Sequence, residues 1–239
     1  MPDKMTLFLL PGLMCDRAIW EGVLQKLSDR IQPEIPVFRG FDSLTKMAES
    51  VLEKAPEHFL VAGHSMGGRV ALEIMRLAGA RVEKLALLDT GVHPKRQGEE
   101  EKRRTLLDLA RAKGMQAVAE AWITPMLHPL RQHDSQLFQS ITEMIERNSV
   151  EDFAGQVQAL LNRPAAAACL ADIACPALVL CGRQDGWSPL EQHEYIARNI
   201  RDSRLVIIED AGHMSPMEQP ATVAAALNEW IKINRVSVD

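Results

Sequence analysis

The pentapeptide Gly63-His64-Ser65-Met66-Gly67 constrains the fold of this chain more than any other stretch. The apolar run from His58 to Gly63 precedes it and reads as a strand covered on both faces. A helical pattern follows from Met66 to near Gly79. A serine placed between strand and helix, with glycine two positions away on each side, marks a turn too tight for side chains at the flanking positions. Such a turn lifts the hydroxyl above the end of the sheet and aims the Met66 amide toward it. With 14 glycines in the chain, chance supplies roughly 0.04 matches to the pattern, before the strand and helix are required.

The segments around this turn alternate between strand and helix. Thr6 to Leu10 is an apolar run closed by Pro11-Gly12, and Asp16 is placed to cap a helix reaching about Ser28. A short strand is expected at Ile35 to Phe38, a helix from the Ser43 cap to Lys54, and a strand at Val82 to Leu88. After Asp89 the apolar positions change to helical spacing. Met115, Val118, Ala119 and Trp122 follow one helical face, and Phe153, Val157, Leu160 and Leu161 follow another. Strands return at Pro176 to Cys181 and Leu205 to Ile208, with helices at Leu190 to Asn199 and Thr222 to Ile233. The pattern predicts an α/β fold: an open, mainly parallel sheet of about six strands, helices on both faces, and an inserted helical lid. Residues 1–92 and 165–239 form the core in this reading, and 93–164 the lid.

The 239 residues carry 27 basic and 32 acidic side chains, a net charge of −5 that lacks the footprint a phosphate backbone requires, so nucleic acid is not an expected partner. Cys15, Cys169, Cys175 and Cys181 form no C-x-x-C pair and no histidine cluster accompanies them, so reduced thiols and no metal are expected. The apolar start ending at Cys15 lacks a basic leader and a small residue before the cysteine. The longest apolar stretch, Pro164 to Gly182, is broken by Asp172 and Pro176. A cytoplasmic protein without a membrane anchor is the expectation, and the pattern sets no oligomeric state.

A serine hydroxyl is a weak nucleophile at neutral pH and needs a base, itself oriented by a carboxylate. Residues just past the C-terminal ends of parallel strands gather along one sheet edge. Asp185 lies there after the Pro176 strand and His213 after the Leu205 strand, so Ser65, Asp185 and His213 are predicted to meet. Asp89 ends a strand at the same edge and is the alternative acid. His64 is expected to point away and serve structure, while His93, His128, His133 and His193 are assigned to solvent or lid contacts. The Glu99 to Arg104 run reads as a solvated helix start with acids before bases.

With these residues on the page, the chain resembles the α/β-hydrolase superfamily over essentially its whole length, in the chain order Ser, Asp, His. Within it the sequence is similar to small lidded carboxylesterase-like enzymes, including pimeloyl-carrier-protein methyl esterases and enol-lactone hydrolases. Two departures stand out: the few residues before Pro11-Gly12 leave no room for the usual antiparallel opening hairpin, and Pro11 replaces the familiar histidine. The resemblance implies that the Leu13 amide joins that of Met66 in an oxyanion hole.

Met14, Trp187 and Met214 near the expected catalytic atoms, with Trp122 and Met126 in the lid, are the expected substrate-binding residues. The predicted activity is hydrolysis of small-molecule carboxylic esters with small to medium, mostly apolar acyl groups, through an acyl-enzyme and without cofactor. Charged acyl groups are expected to be poor substrates, because Arg17, Arg69 and Arg183 are assigned to solvent or turn backbone. The same triad serves lactone, thioester or C–C bond hydrolysis, lyase and perhydrolase reactions, and the fold also serves as a small-molecule receptor; residues alone leave these open.

Overall fold

The computed structural model describes residues 4–233. Six strands form a single sheet among them: β1 (Met5–Leu10), β2 (Ile31–Glu34), β3 (Phe59–His64), β4 (Val82–Leu88), β5 (Ala177–Gly182) and β6 (Ser203–Ile208). Their order across the sheet is β2-β1-β3-β4-β5-β6, and every pairing is parallel. The apolar runs dictate this placement. All residues of β3 and β5 are buried, as strands covered by helices on both faces must be.

The helices are α1 (Glu21–Leu24), α2 (Leu44–Leu52), α3 (Met66–Ala78), α4 (Glu99–Trp122), α5 (Ser135–Glu146), α6 (Val150–Leu161), α7 (Leu190–Asn199), α8 (Ser215–Glu218) and α9 (Pro220–Lys232). The Ser43 hydroxyl caps α2 by accepting from the Lys46 amide. Two expectations shift, and one helix is interrupted. β2 begins at Ile31 rather than Ile35, and Pro33 is tolerated within it because β2 lies at the sheet edge. The helix capped by Asp16 shortens to a 3₁₀ turn at Arg17–Trp20 followed by the single turn of α1. α4 is broken at Gly114, whose φ of 82° and ψ of 178° are extended and left-handed rather than helical.

α4, α5 and α6 lie in the chain between β4 and β5, and their buried faces merge with the main core. Val118, Ala119, Ile141 and Phe153 belong to the same apolar cluster as Leu9 and Val61. Arg163, at the end of this helical insert, binds the Glu99 carboxylate at its beginning through two bonds of 2.7 Å. The same guanidinium donates to the His93 and Pro94 carbonyls, closing both ends of the insert on one side chain.

Parallel register aligns the strand ends. Leu10 stands opposite Gly63, His64 opposite Leu88, and Gly182 opposite Ile208. β1 has β2 on one side and β3 on the other, so the chain reverses its winding between β1 and β3, where open α/β sheets leave a crevice. The Pro11-Gly12 loop and Ser65 flank that crevice.

A Cβ on Gly67 would lie 2.2 Å from the Leu10 carbonyl oxygen, which cannot move without breaking the sheet. Gly67→Ala is therefore expected to lose at least about 3 kcal/mol in urea unfolding. Gly40→Ala, at a φ of 76° with open space around it, should lose only about 1–2 kcal/mol from backbone strain. Equal losses at the two positions would contradict this packing.

Candidate active site

Ser65 follows β3 directly and adopts φ 53°, ψ −114°, a left-handed conformation that a serine keeps only when its surroundings enforce it. Its amide donates to the Leu88 carbonyl at 2.9 Å, and the Thr90 hydroxyl donates to its carbonyl at 2.7 Å. These bonds fix both ends of the turn. The hydroxyl is left to His213, whose Nε2 lies 2.9 Å from Ser65 Oγ. His213 Nδ1 lies 2.8 Å from Asp185 Oδ2. The other Asp185 oxygen accepts from the Trp187 and Ser188 amides at 2.8 and 2.9 Å. The three residues predicted from strand ends thus form one continuous hydrogen-bonded chain, with Asp185 and His213 buried.

Burial opposes a charged imidazole at His213, but the Asp185 charge and hydrogen bond outweigh it and hold the ring above its ordinary value of 6.5. At Asp185 burial favours the neutral acid, and His213 with the two amides overcomes it, keeping the carboxyl below the usual range. Asp89 is different. Burial, and then the nearby Asp185 charge, push it well above the usual carboxylate range. It accepts from the Gly182 amide at 2.8 Å and pairs with the Ser215 hydroxyl, so it braces the two loops behind the site and does not reach His213 Nδ1.

His64 also supports the His213 loop. Burial drives its pKa down to about 3, so the ring is neutral, and its Nε2–H donates to the His213 carbonyl at 2.8 Å. Gly12 is required beside it, because a Cβ there would stand 2.9 Å from His64 Nδ1 and 3.3 Å from Ser65 Cβ. His193, neutral with a pKa near 4 because of burial, accepts from the Thr90 amide.

The helical insert grips both loops that flank Ser65. The Met126 carbonyl accepts from the His213 amide at 2.7 Å, and buried Glu218 accepts from the Gly212 and His128 amides. Across the cleft, Gln156 Oε1 accepts from the Met14 amide at 2.8 Å and Asn148 donates to the Met14 carbonyl at 3.0 Å. These two bonds hold Met14 at φ 57°.

A cleft with a cavity volume of about 130 Å³ opens over Ser65 and His213. Leu13, Met66, Trp122, Met126, Trp187 and Met214 line it near the serine. Trp187 lies 5.4 Å from the His213 ring and 4.9 Å from the Trp122 ring, centroid to centroid. Met14 departs from expectation: it is fully buried, outside the cleft lining, because its left-handed backbone turns the side chain into the core. Cys15 also lines the cleft, but burial and Asp16 push its thiol up to about 12, leaving it protonated and a poor nucleophile.

Part of the cleft wall is charged, which corrects two further expectations. Arg69, assigned from sequence to solvent or turn backbone, lines the cleft together with Arg103, Arg163, Glu99 and His93. Arg69 stands four residues after Ser65, one helical turn away on the same face, and that spacing was the signal available. Glu99 and Arg103 are not a solvated helix start: their side chains are 16% and 22% exposed and paired at 3.0 Å. Arg163 carried no sequence signal, since nothing in its neighbourhood indicates that the insert folds back on its own beginning.

A profile of the alpha/beta hydrolase family matches residues 7–226. The chain belongs to that family. Among members, it is 27% identical to a pimeloyl-[acyl-carrier protein] methyl ester esterase of Pectobacterium carotovorum, over 90% of this chain and 89% of that one. It is 30% identical to the solved thermophilic esterase of Thermogutta terrifontis, covering 96% of this chain and 90% of that one with a TM-score of 0.87. The enol-lactonase of Burkholderia xenovorans, at 20% identity and TM-score 0.86 over 97% of this chain and 92% of that one, shares the fold. No helix of the described residues is long and apolar enough to cross a membrane.

The pairing of His213 with Asp185 makes a direct spectroscopic prediction. In an NMR titration the His213 ring of the intact protein should have its midpoint above 6.5, and Asp185→Asn should bring it down, because the neutral amide no longer stabilises the imidazolium. A midpoint indifferent to this substitution would contradict the pairing.

Proposed function

We propose that the chain is a serine esterase that hydrolyses small-molecule carboxylic esters through an acyl-enzyme on Ser65. The observation that carries this reading is the unbroken chain from Ser65 Oγ to His213 Nε2, at 2.9 Å, and from His213 Nδ1 to Asp185 Oδ2, at 2.8 Å, under an open cleft. His213 takes the proton as Ser65 Oγ bonds to the ester carbonyl carbon, and Asp185 stabilises the imidazolium that forms. The ester C–O bond then breaks and His213 returns the proton to the leaving alkoxide. Water attacks the acyl-enzyme with His213 again as base, giving the acid and restoring Ser65.

The oxyanion needs donors already in place, since groups that must reorient during reaction stabilise it less. In this reading the Leu13 and Met66 amides supply them. Both residues line the cleft, and Gln156 and Asn148 clamp the backbone of Met14, next to Leu13. Residues 93–164 serve as the lid, with Trp122 packed against Trp187 at 4.9 Å and Met126 beside them in the lining of the cleft that would take the acyl chain. The names of the relatives, an esterase of T. terrifontis and a methyl ester esterase of P. carotovorum, support ester hydrolysis.

On an activated ester such as 4-nitrophenyl butyrate, Ser65→Ala should lower kcat by roughly 10⁴ or more. Asp185→Asn should cost about 10⁴ as well, and Asp89→Asn clearly less, because Asp89 does not touch the imidazole. For the unaltered enzyme, kcat/KM should fall as pH drops through a value above 6.5, since protonated His213 cannot act as base. A reversed ranking of the two aspartates, or a flat profile into the acid range, would refute the assignment.

A further inference from the structure

Arg69, Arg103 and Arg163 line the cleft together, gathered around His93 and Glu99, the one carboxylate in that lining. Glu99 is fully used. It binds Arg163 through two bonds of 2.7 Å and Arg103 at 3.0 Å. Among the described residues Arg69 forms no ion pair, and its guanidinium donates to one protein acceptor, the His93 carbonyl at 3.2 Å. His93 adds no negative charge; burial and the adjacent arginines hold its ring neutral, with a pKa near 4.

Three guanidinium groups against one carboxylate leave an excess of positive charge in a partly desolvated wall. Burial, and then Arg163, bring Arg69 down to about 9, the direction expected of a cation crowded by like charge. Such an arrangement is costly unless an anion completes it. A planar fork matches a carboxylate, and the cluster already displays that pairing between Arg163 and Glu99. The Arg69 guanidinium, with one donor given to the His93 carbonyl and the others left over, is also close to Ser65. At a rise of about 1.5 Å per residue, Arg69 starts roughly 6 Å along α3 from Ser65, within the same cleft.

We propose that this part of the cleft binds a free carboxylate on the substrate, so that the preferred substrates are monoesters of short dicarboxylic acids, held by Arg69 while Ser65 faces the ester carbonyl. The acyl methylenes lie against the apolar wall between the two. This reverses the sequence-based expectation that charged acyl groups are excluded, and it rests on the esterase reading.

The test compares matched methyl esters by pH-stat: monomethyl succinate, glutarate and adipate against methyl butyrate, pentanoate and hexanoate. At least one charged ester should exceed its neutral partner in kcat/KM by tenfold or more, the effect of one charge-assisted pair. Arg69→Leu should collapse that ratio toward one, and Arg69→Lys should restore part of it. Equal rates for every pair in the unaltered enzyme, which needs no variant to fold, would overturn the proposal, as would a preference that survives Arg69→Leu. Calorimetry with glutarate separates this from the esterase reading. Binding to Ser65→Ala that weakens tenfold or more on Arg69→Leu, with no methyl ester hydrolysed by the unaltered chain, would keep the anion site and reject the esterase. Turnover of neutral esters without glutarate binding would do the reverse.

Discussion

Gly63 and Gly67 let β3, α3 and the end of β1 approach closely enough that backbone oxygens occupy the space of absent side chains. A Cβ on Gly63 would lie 2.2 Å from the Gly67 oxygen, and one on Gly67 2.2 Å from the Leu10 oxygen. This contact holds Ser65 at φ 53° and raises its hydroxyl above the sheet, where strain is stored at the reactive residue and offset by the core beneath. Everything else in the site is measured from that fixed point. The parallel register brings Asp185 and His213 to it, because β5 and β6 end level with one another at Gly182 and Ile208.

The helical insert is bonded into this arrangement. Gln156 and Asn148 hold the Met14 backbone on one side of the cleft, and the Met126 carbonyl holds the His213 amide on the other. Arg163 ties the end of the insert to its beginning at Glu99. The Met14 and His213 loops therefore share a support, and a change in the insert reaches the proposed base and the proposed oxyanion loop together. Preorganisation of this kind is what a developing negative charge requires, since donors fixed beforehand need no reorganisation during reaction.

The parts legible in the sequence were those governed by local rules. The β3 to α3 turn carries its glycines at fixed spacing, β4 and α7 follow from apolar patterning, and Ser65, Asp185 and His213 follow from chain order and strand ends. β2 was misplaced by four residues because an edge strand containing Pro33 has no clear alternation, and its position is set by pairing with β1. Met14 looked like a cleft residue by proximity to Gly12, but a backbone at φ 57° reverses the side chain. The charged wall of the cleft is hidden from the sequence for the same kind of reason. Glu99 and Arg103 are solvated or buried according to where Arg163, some sixty residues onward, returns to meet them, and no local pattern encodes that meeting.

In the proposed reaction Ser65 is the nucleophile, made reactive by its hydrogen bond to His213. A phosphonofluoridate reports this directly, because the activated oxygen bonds to phosphorus, fluoride leaves with the proton, and the adduct survives digestion and mass spectrometry. One stoichiometric adduct is expected, on the peptide containing Ser65, forming more slowly as His213 becomes protonated. An adduct on Ser188 or Cys15, or none on a folded protein, would contradict it.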